Sequence, residues 1–208
     1  ILLFTQRIMK LIESLLNNPL LYRLHASGVD RAKFAAIRKI RADFTGLKVL
    51  DLGCGPGNTT HIFSGSNYTG VDINEKYIKI AAERYPCHRF TAGDAGDVKW
   101  GEGFDIILIN SFFHHLDDNE VVKVSKAAAS ALSDGGTVIV QEPLIPEKNE
   151  LYHRLMMKLD RGSFFRSLDQ WKGLLREAGL IPEQVDLYHL RIMGIRGYHM
   201  VSMSLVGG

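Results

Sequence analysis

Residues 49–57, Val-Leu-Asp-Leu-Gly-Cys-Gly-Pro-Gly, constrain this fold more than any other stretch of the chain. An aliphatic run that breaks into a glycine cluster reads as a buried strand ending in a tight turn, which here is expected to feed a helix. Gly53, Gly55 and Gly57 alternate, removing side chains where the flat or charged face of a ligand would press against backbone. Asp51 stands just before the turn, and Asp72 closes a second strand-like run at 68–72. Strand, glycine turn, helix, strand and carboxylate, in that order, describe a pocket for a nucleoside.

From residue 47 onward, strand-like and helical patterns alternate. Strands are expected at 48–52, 68–72, 88–92, 105–110 and 137–142. Asn74 caps the helix after the second, and the capping box Asp117-x-x-Glu120 opens a helix over 121–132. Ser133-Asp134-Gly135-Gly136 then reads as a tight link into the fifth strand. Strands joined by crossover helices imply a parallel sheet covered on both faces. Toward the end, Ser167-x-x-Gln170 caps a helix ending near Gly179. Two further runs, 183–191 and 198–206, are joined by a glycine-containing link and read as an antiparallel hairpin. Residues 2–16 and about 20–43 are helical by spacing, with a basic face (Arg31, Lys33, Arg38, Lys39, Arg41) read as solvated.

Composition narrows the class. The chain has 208 residues, 46% apolar and 23% charged, with a net charge of +2, which gives no electrostatic footprint for nucleic acid. Its two cysteines, Cys54 and Cys87, and the lack of any secretory-type or membrane-length apolar run point to a reduced, cytoplasmic protein. Cys54 lies inside the glycine turn, where a small side chain is needed.

Ligands on open α/β sheets bind at the carboxyl ends of the strands. Those ends carry the glycine turn, Asp72-Ile73, Gly93-Asp94-Ala95, Asn110-Ser111-Phe112 and Glu142-Pro143. Asp72 is placed to accept both hydroxyls of a ribose. Asp94 is placed to accept an exocyclic amine, with the Ala95 N–H on a ring nitrogen and Ile73 against the ring face. A dinucleotide site wants a third glycine at position 58, where this chain has Asn58. Gly-x-Gly-x-Gly suits a nucleoside without phosphate, carrying an amino-acid tail.

Over residues 47–142 the chain resembles the class I S-adenosylmethionine-dependent methyltransferases. Val-Leu-Asp-Leu-Gly-Cys-Gly-Pro-Gly matches that family's first motif, Gly70-Val71-Asp72-Ile73 its ribose carboxylate, and Gly93-Asp94-Ala95 its adenine contact. Phe104-Asp105-Ile106-Ile107-Leu108-Ile109-Asn110 matches its fourth strand. The resemblance implies a Rossmann-like α/β fold, a seven-stranded, mostly parallel sheet of order 3-2-1-4-5-7-6 with a terminal antiparallel hairpin and N-terminal helices. It also implies S-adenosyl-L-methionine as cofactor, held by Asp51, Gly53, Cys54, Gly55, Asn58, Asp72, Ile73, Asp94, Ala95, Asn110 and Ser111. His115, after the fourth strand, is the candidate general base by similarity to small-molecule methyltransferases; the alternative is a histidine that only fixes its loop. Glu142 is a second catalytic candidate, with an exposed strand-end carboxylate as the alternative. No metal ligands are assigned.

The expected acceptor is a small molecule, anionic or apolar, rather than nucleic acid. Asn110-Ser111-Phe112-Phe113 does not match the Asn/Asp-Pro-Pro-aromatic loop of amino-methyltransferases, and no Pro-Cys nucleophile is present. Residues 1–46 form an expected helical cap, with Tyr22 as a lid contact, on a domain over 47–208. A lid-like insertion is expected at 144–166, where Tyr152, His153, Met156, Met157, Phe164 and Phe165 mix with Arg154, Arg161 and Arg166. Those arginines either meet an acceptor carboxylate or phosphate, or lie in solvent on a packed helix. Two rival classes stay open: a catalytically silent binding or interaction protein, and an NAD-binding oxidoreductase.

Overall fold

The computed structural model describes residues 31–96, 101, 103–146, 150, 153–154, 157–158, 162–192 and 195–208. The strands are β1 (Lys48–Leu52), β2 (Asn67–Asp72), β3 (Arg89–Ala92), β4 (Phe104–Asn110), β5 (Leu132–Pro143), β6 (Leu180–Ile192) and β7 (Ile195–Gly207). The helices are α1 (31–40), α2 (Glu75–Arg84), α3 (Asp118–Ala131) and α4 (Leu168–Glu177). One seven-stranded sheet runs β3-β2-β1-β4-β5-β7-β6, the order expected from the resemblance. The strands β3 to β5 pair in parallel, while β7 is antiparallel to both β5 and β6.

The period-2 alternation of the strands divides the core between the two faces. Val49, Ile106, Leu108 and Ile139 pack with Ile37 of α1, Phe44, Phe63 and Tyr68. Leu50, Leu52, Ile107, Ile109, Val138 and Val140 point the other way, onto Val121, Val124 and Ala128 of α3 and Trp171 and Leu175 of α4. Both predicted capping boxes form, Asp117 with Glu120 and Ser167 with Gln170. Each fixes a helix start within one residue of a loop that reaches the ends of the strands.

Three local expectations need correction. The glycine turn feeds a single 3₁₀ turn, Thr60–Phe63, rather than a full helix. The residues there, Asn58-Thr-Thr-His-Ile-Phe-Ser-Gly65, include β-branched, Ser and Gly positions that propagate a helix poorly. The link expected at 133–136 lies within β5 as an irregularity, with Phe104 opposite Leu132 but Ile106 opposite Thr137. Gly136 is required there, because a Cβ would sit 2.8 Å from the Phe104 carbonyl oxygen. The hairpin strands are 13 residues each, longer than the apolar runs suggest. At the N-terminus α1 ends at residue 40, and the expected helix at 2–16, the start of the second and Tyr22 lie outside the described residues. Among the described residues no helix is long and apolar enough to cross a membrane.

Candidate active site

A cleft of about 170 Å³ opens at the carboxyl ends of β1 to β4. Gly53, Asp72, Ile73, Gly93, Asp94 and Ala95 line it from the strand ends. Phe112 and Leu116 from the loop after β4, and Glu120, Lys123 and Val124 from α3, close the other side. Three lining side chains are acidic (Asp72, Asp94, Glu120) and one is basic, so the cleft presents net negative charge. Ile73 is 76% exposed, an apolar side chain left at the rim where a ring could lie on it.

Asp72 is held ready. One of its carboxylate oxygens accepts the Gly55 N–H at 2.9 Å, and the other accepts the Asn74 N–H at 2.8 Å. The glycine turn and the start of α2 therefore fix its orientation, and each oxygen keeps a further lone pair. Asp94 is braced by the Gly96 N–H at 2.8 Å, with the Lys123 ammonium 3.9 Å from its other oxygen. Gly53 has φ +77°, and a Cβ there would fall 2.6 Å from Cγ of Phe112, so this position admits only glycine.

Other residues of the predicted set stand behind this surface. Asp51 is buried and accepts hydrogen bonds from Tyr68 Oη at 2.6 Å and Thr59 Oγ1 at 2.9 Å. Burial raises its carboxyl to about 6 against the pull of those two donors. Cys54 is buried against Gly70, whose hypothetical Cβ would lie 2.9 Å from the Cys54 sulfur. Burial, with Asp51 and Asp72 nearby, pushes its thiol well up, so it packs as an inert group. Asn58 is exposed and receives Arg84 at 3.2 Å. None of these three lines the cleft.

The loop after β4 is organised by Glu142. This carboxylate is fully buried, which removes the reading of an exposed strand-end group. One oxygen accepts the N–H groups of Phe112 at 2.8 Å and Phe113 at 2.7 Å. The other accepts His114 N–H at 3.3 Å and lies 2.7 Å from His114 Nδ1. His114 is thereby turned inward, whereas His115, on the same 3₁₀ turn, is exposed. The lining of the cleft includes Phe112 and Leu116 on either side but not His115. Ser111, at φ 52°, is a non-glycine residue in the left-handed region. It is held there by its N–H to the Gln141 carbonyl at 2.8 Å and by Lys33 Nζ of α1, 2.6 Å from its hydroxyl. Asn110 lies beside it, its Oδ1 3.5 Å from the Ser111 hydroxyl.

Beyond β5 the arginine expectation fails at one described position. Arg166 neither faces solvent nor reaches toward a ligand. Its buried guanidinium pairs with Asp118 at 2.6 Å, donates to the carbonyls of Leu116 at 2.9 Å and Phe164 at 3.0 Å, and lies over Trp171. It ties the 162–166 segment to the loop after β4 and to α3. Tyr152, Met156 and Arg161 fall outside the described residues. The same side also assembles Glu150, His189 and His199, whose ligating atoms all lie within 4.8 Å of one another. Spacing gave no signal for that group, since its members come from three separate segments. Phe112 lines the cleft as its strand-end position implies, whereas Leu116 and Val124 have no counterpart among the expected residues; their signal is the apolar periodicity around the Asp117 capping box.

Comparison with known proteins fits this geometry. Residues 49–136 match the family described as a methyltransferase domain. A trans-aconitate 2-methyltransferase of Paracidovorax citrulli is 27% identical over 88% of this chain and 65% of its own length. Across such relatives the chain spans between 38% and 65% of their length. A TehB-like SAM-dependent methyltransferase from Corynebacterium glutamicum superposes with TM-score 0.63 at 17% identity, covering 83% of this chain and 86% of that one. Magnesium protoporphyrin IX methyltransferase from Synechocystis, solved with bound SAH, gives TM-score 0.66 at 17% identity over 88% and 84%. The strand order and the glycine turn are those of the class I S-adenosylmethionine-dependent methyltransferase fold, and within that fold residues 49–136 match a methyltransferase domain.

Proposed function

We propose that the chain binds S-adenosyl-L-methionine in the β1–β4 cleft and transfers its methyl group to a small-molecule acceptor, in the cytoplasm. The observation that carries this is the charge and shape of the cleft. Apolar walls from Ile73, Ala95, Phe112, Leu116 and Val124 frame a slot edged by Asp72 and Asp94. That suits a flat base with a ribose at its side. Three acidic groups against one basic group repel the pyrophosphate of a dinucleotide and favour a ligand bearing ammonium and sulfonium charge.

In this reading Asp72 takes the ribose hydroxyls, Asp94 and Ala95 the adenine edge, and Gly53 and Gly55 leave room for the amino-acid tail. Asp51, Cys54 and Asn58 act by shaping the turn, and Asn110 and Ser111 by setting the loop above it. When bound, the cofactor supplies a methyl group made electrophilic by its sulfonium. Phe112, pressed on Gly53, shields that side of the slot from water. His115 accepts a proton where the acceptor arrives protonated, and Glu142 positions the loop that carries it. The related enzymes are named for trans-aconitate, so a small carboxylate is the acceptor class carried over, with residues 1–46 and 144–166 as cap and lid selecting it. A positive charge near the loop after β4, the Lys33 ammonium 2.6 Å from the Ser111 hydroxyl, supports an anionic acceptor.

Calorimetric titration with S-adenosylmethionine and, separately, with NAD tests the reading. Saturable heat with the first and none with the second is expected; silence with S-adenosylmethionine overturns it. Binding without turnover across a panel of small carboxylic acids would favour the silent binding protein.

A further inference from the structure

We propose that Glu150, His189 and His199 form a binding site for a first-row transition-metal dication, Zn²⁺ above all, that fastens the segment after β5 to the β6–β7 hairpin. The site is separate from the methyl-donor cleft and does not depend on the function proposed above.

The backbone brings the three groups together from unlike elements. His189 and His199 are direct cross-strand partners in the β6–β7 ladder, so their side chains leave the same face of the sheet. Their rings stack at 4.5 Å with 3° between the planes. β7 runs past the end of β5, where Pro143 pairs with Met200 and the His199 carbonyl accepts Leu144 N–H at 2.8 Å. The pair therefore stands beside the exit of β5 into the next segment. Glu150 lies on that segment, its carbonyl accepting the Arg154 N–H at 3.1 Å. Its carboxylate reaches His189 Nε2 at 3.0 Å.

The distances suit an ion. Metal–ligand bonds of 2.0–2.1 Å in tetrahedral geometry put neighbouring ligand atoms about 3.3 Å apart. The Glu150–His189 contact needs to open by only a few tenths of an ångström, and at least one imidazole must turn out of the parallel stack so that both in-plane lone pairs meet on the ion, which also closes the widest pair from within 4.8 Å. Two imidazoles and one carboxylate are a donor set for Zn²⁺ or its transition-metal neighbours, not for Ca²⁺ or Mg²⁺, which seek oxygen shells. Three protein ligands also leave a coordination position for water or an anion.

A fourth residue supports the carboxylate in the way metal ligands are usually supported. His153, three positions after Glu150, is buried with Nδ1 3.2 Å from the other Glu150 oxygen and its ring against Tyr198. Its Nε2 is buried and finds no hydrogen-bond partner among the described residues. The cluster thus holds more ligating nitrogen than its own hydrogen bonds use.

Titration of the metal-stripped protein with Co²⁺, read by the visible bands of a low-symmetry four-coordinate site, and competition by Zn²⁺ test the assignment. Saturation at roughly one ion per chain is expected. The paired substitution His189→Ala/His199→Ala should abolish saturation, and His153→Ala should weaken Zn²⁺ ten- to hundredfold, as loss of an orienting partner does, roughly. Glu150→Gln keeps a hydrogen-bonding oxygen near His189 and removes the charge, so it serves where the double variant folds poorly; it too should lose saturation. Absence of saturable binding in the unaltered protein, or undiminished binding in Glu150→Gln, overturns the proposal.

Discussion

The cleft draws its walls from residues between Gly53 and Val124, at the ends of β1 to β4 and on the first two turns of α3. The region beyond β5 joins groups far apart in the chain: Arg166 reaches Asp118, and His189 and His199 meet Glu150. On the cleft side, conformation is dictated by local chemistry such as positive-φ glycines and side-chain caps. On the far side it is dictated by burial of charged and polar groups against partners that only the assembled fold supplies. Glu142 is the seam, a β5 residue that fixes the backbone of the cleft's loop after β4. The sheet makes this junction by switching from parallel to antiparallel pairing at β5.

The seam is where the comparison breaks most sharply. Glu142→Ala strands three backbone N–H groups and the His114 imidazole, and should cost about 4 kcal/mol of unfolding free energy. Urea denaturation reads this directly, and a loss below about 1 kcal/mol would mean the loop holds its own shape. His115→Ala, one residue along but exposed, should leave stability within about 0.5 kcal/mol. It should lower methyl transfer more than cofactor affinity, and unchanged turnover would remove it from the chemistry.

Asp51 gives a cleft-side effect of similar size that depends on pH. Its folded-state value near 6 lies above the ordinary 3.8 because burial disfavours the charge. Its contribution to stability is therefore fully present below about pH 4 and is lost as pH rises through 6, amounting to about 3 kcal/mol. In Asp51→Asn the difference in unfolding free energy from the unaltered protein should shift by that amount across this window. A flat difference would place the carboxyl near its ordinary value.

The far side shows why sequence reading stopped where it did. Spacing located the glycine turn and two capping boxes because each acts on backbone within a few residues, and it located Asp72 and Asp94 because each stands at the end of a strand-like run and braces a neighbouring N–H. It also implied the hairpin, since alternation and glycine punctuation are local. It did not reveal that Glu142 is buried: its acceptor role depends on N–H groups some thirty positions away, from Phe112 to His114. Arg166 was read as either ligand-facing or solvated for the same reason, as its partners Asp118 and Leu116 lie on another element. The 3₁₀ turn at Thr60–Phe63 differs from expectation for a local reason: the strand-and-glycine-turn pattern predicts a helix there, but the propensity of residues 58–65 is too weak to extend one.

Gly53→Ala sharpens the local half of the comparison. The added methyl meets Phe112 at 2.6 Å and forces alanine to φ +77°, so cofactor affinity should fall about a hundredfold. Adding Phe112→Ala removes the collision and leaves the backbone strain, so the double variant should recover part of that loss. Recovery of none would assign the whole effect to the turn.

The smallest expected effect is also the most specific to the ligand. Asp72→Ala removes the carboxylate that Gly55 and Asn74 hold in place. The loss of a charge-assisted pair should lower cofactor affinity about tenfold, and more if both hydroxyls are engaged. Part of any loss could come from a loosened glycine turn, since the Gly55 N–H would lose its acceptor. Titration with 2′-deoxy and 3′-deoxy forms of S-adenosylhomocysteine separates the two causes. If Asp72 binds the ribose, the deoxy ligands should be weaker than the parent with the unaltered protein and nearly equal to it with Asp72→Ala. Equal discrimination in both proteins would move the ribose away from Asp72 and leave that carboxylate as a brace for the turn alone.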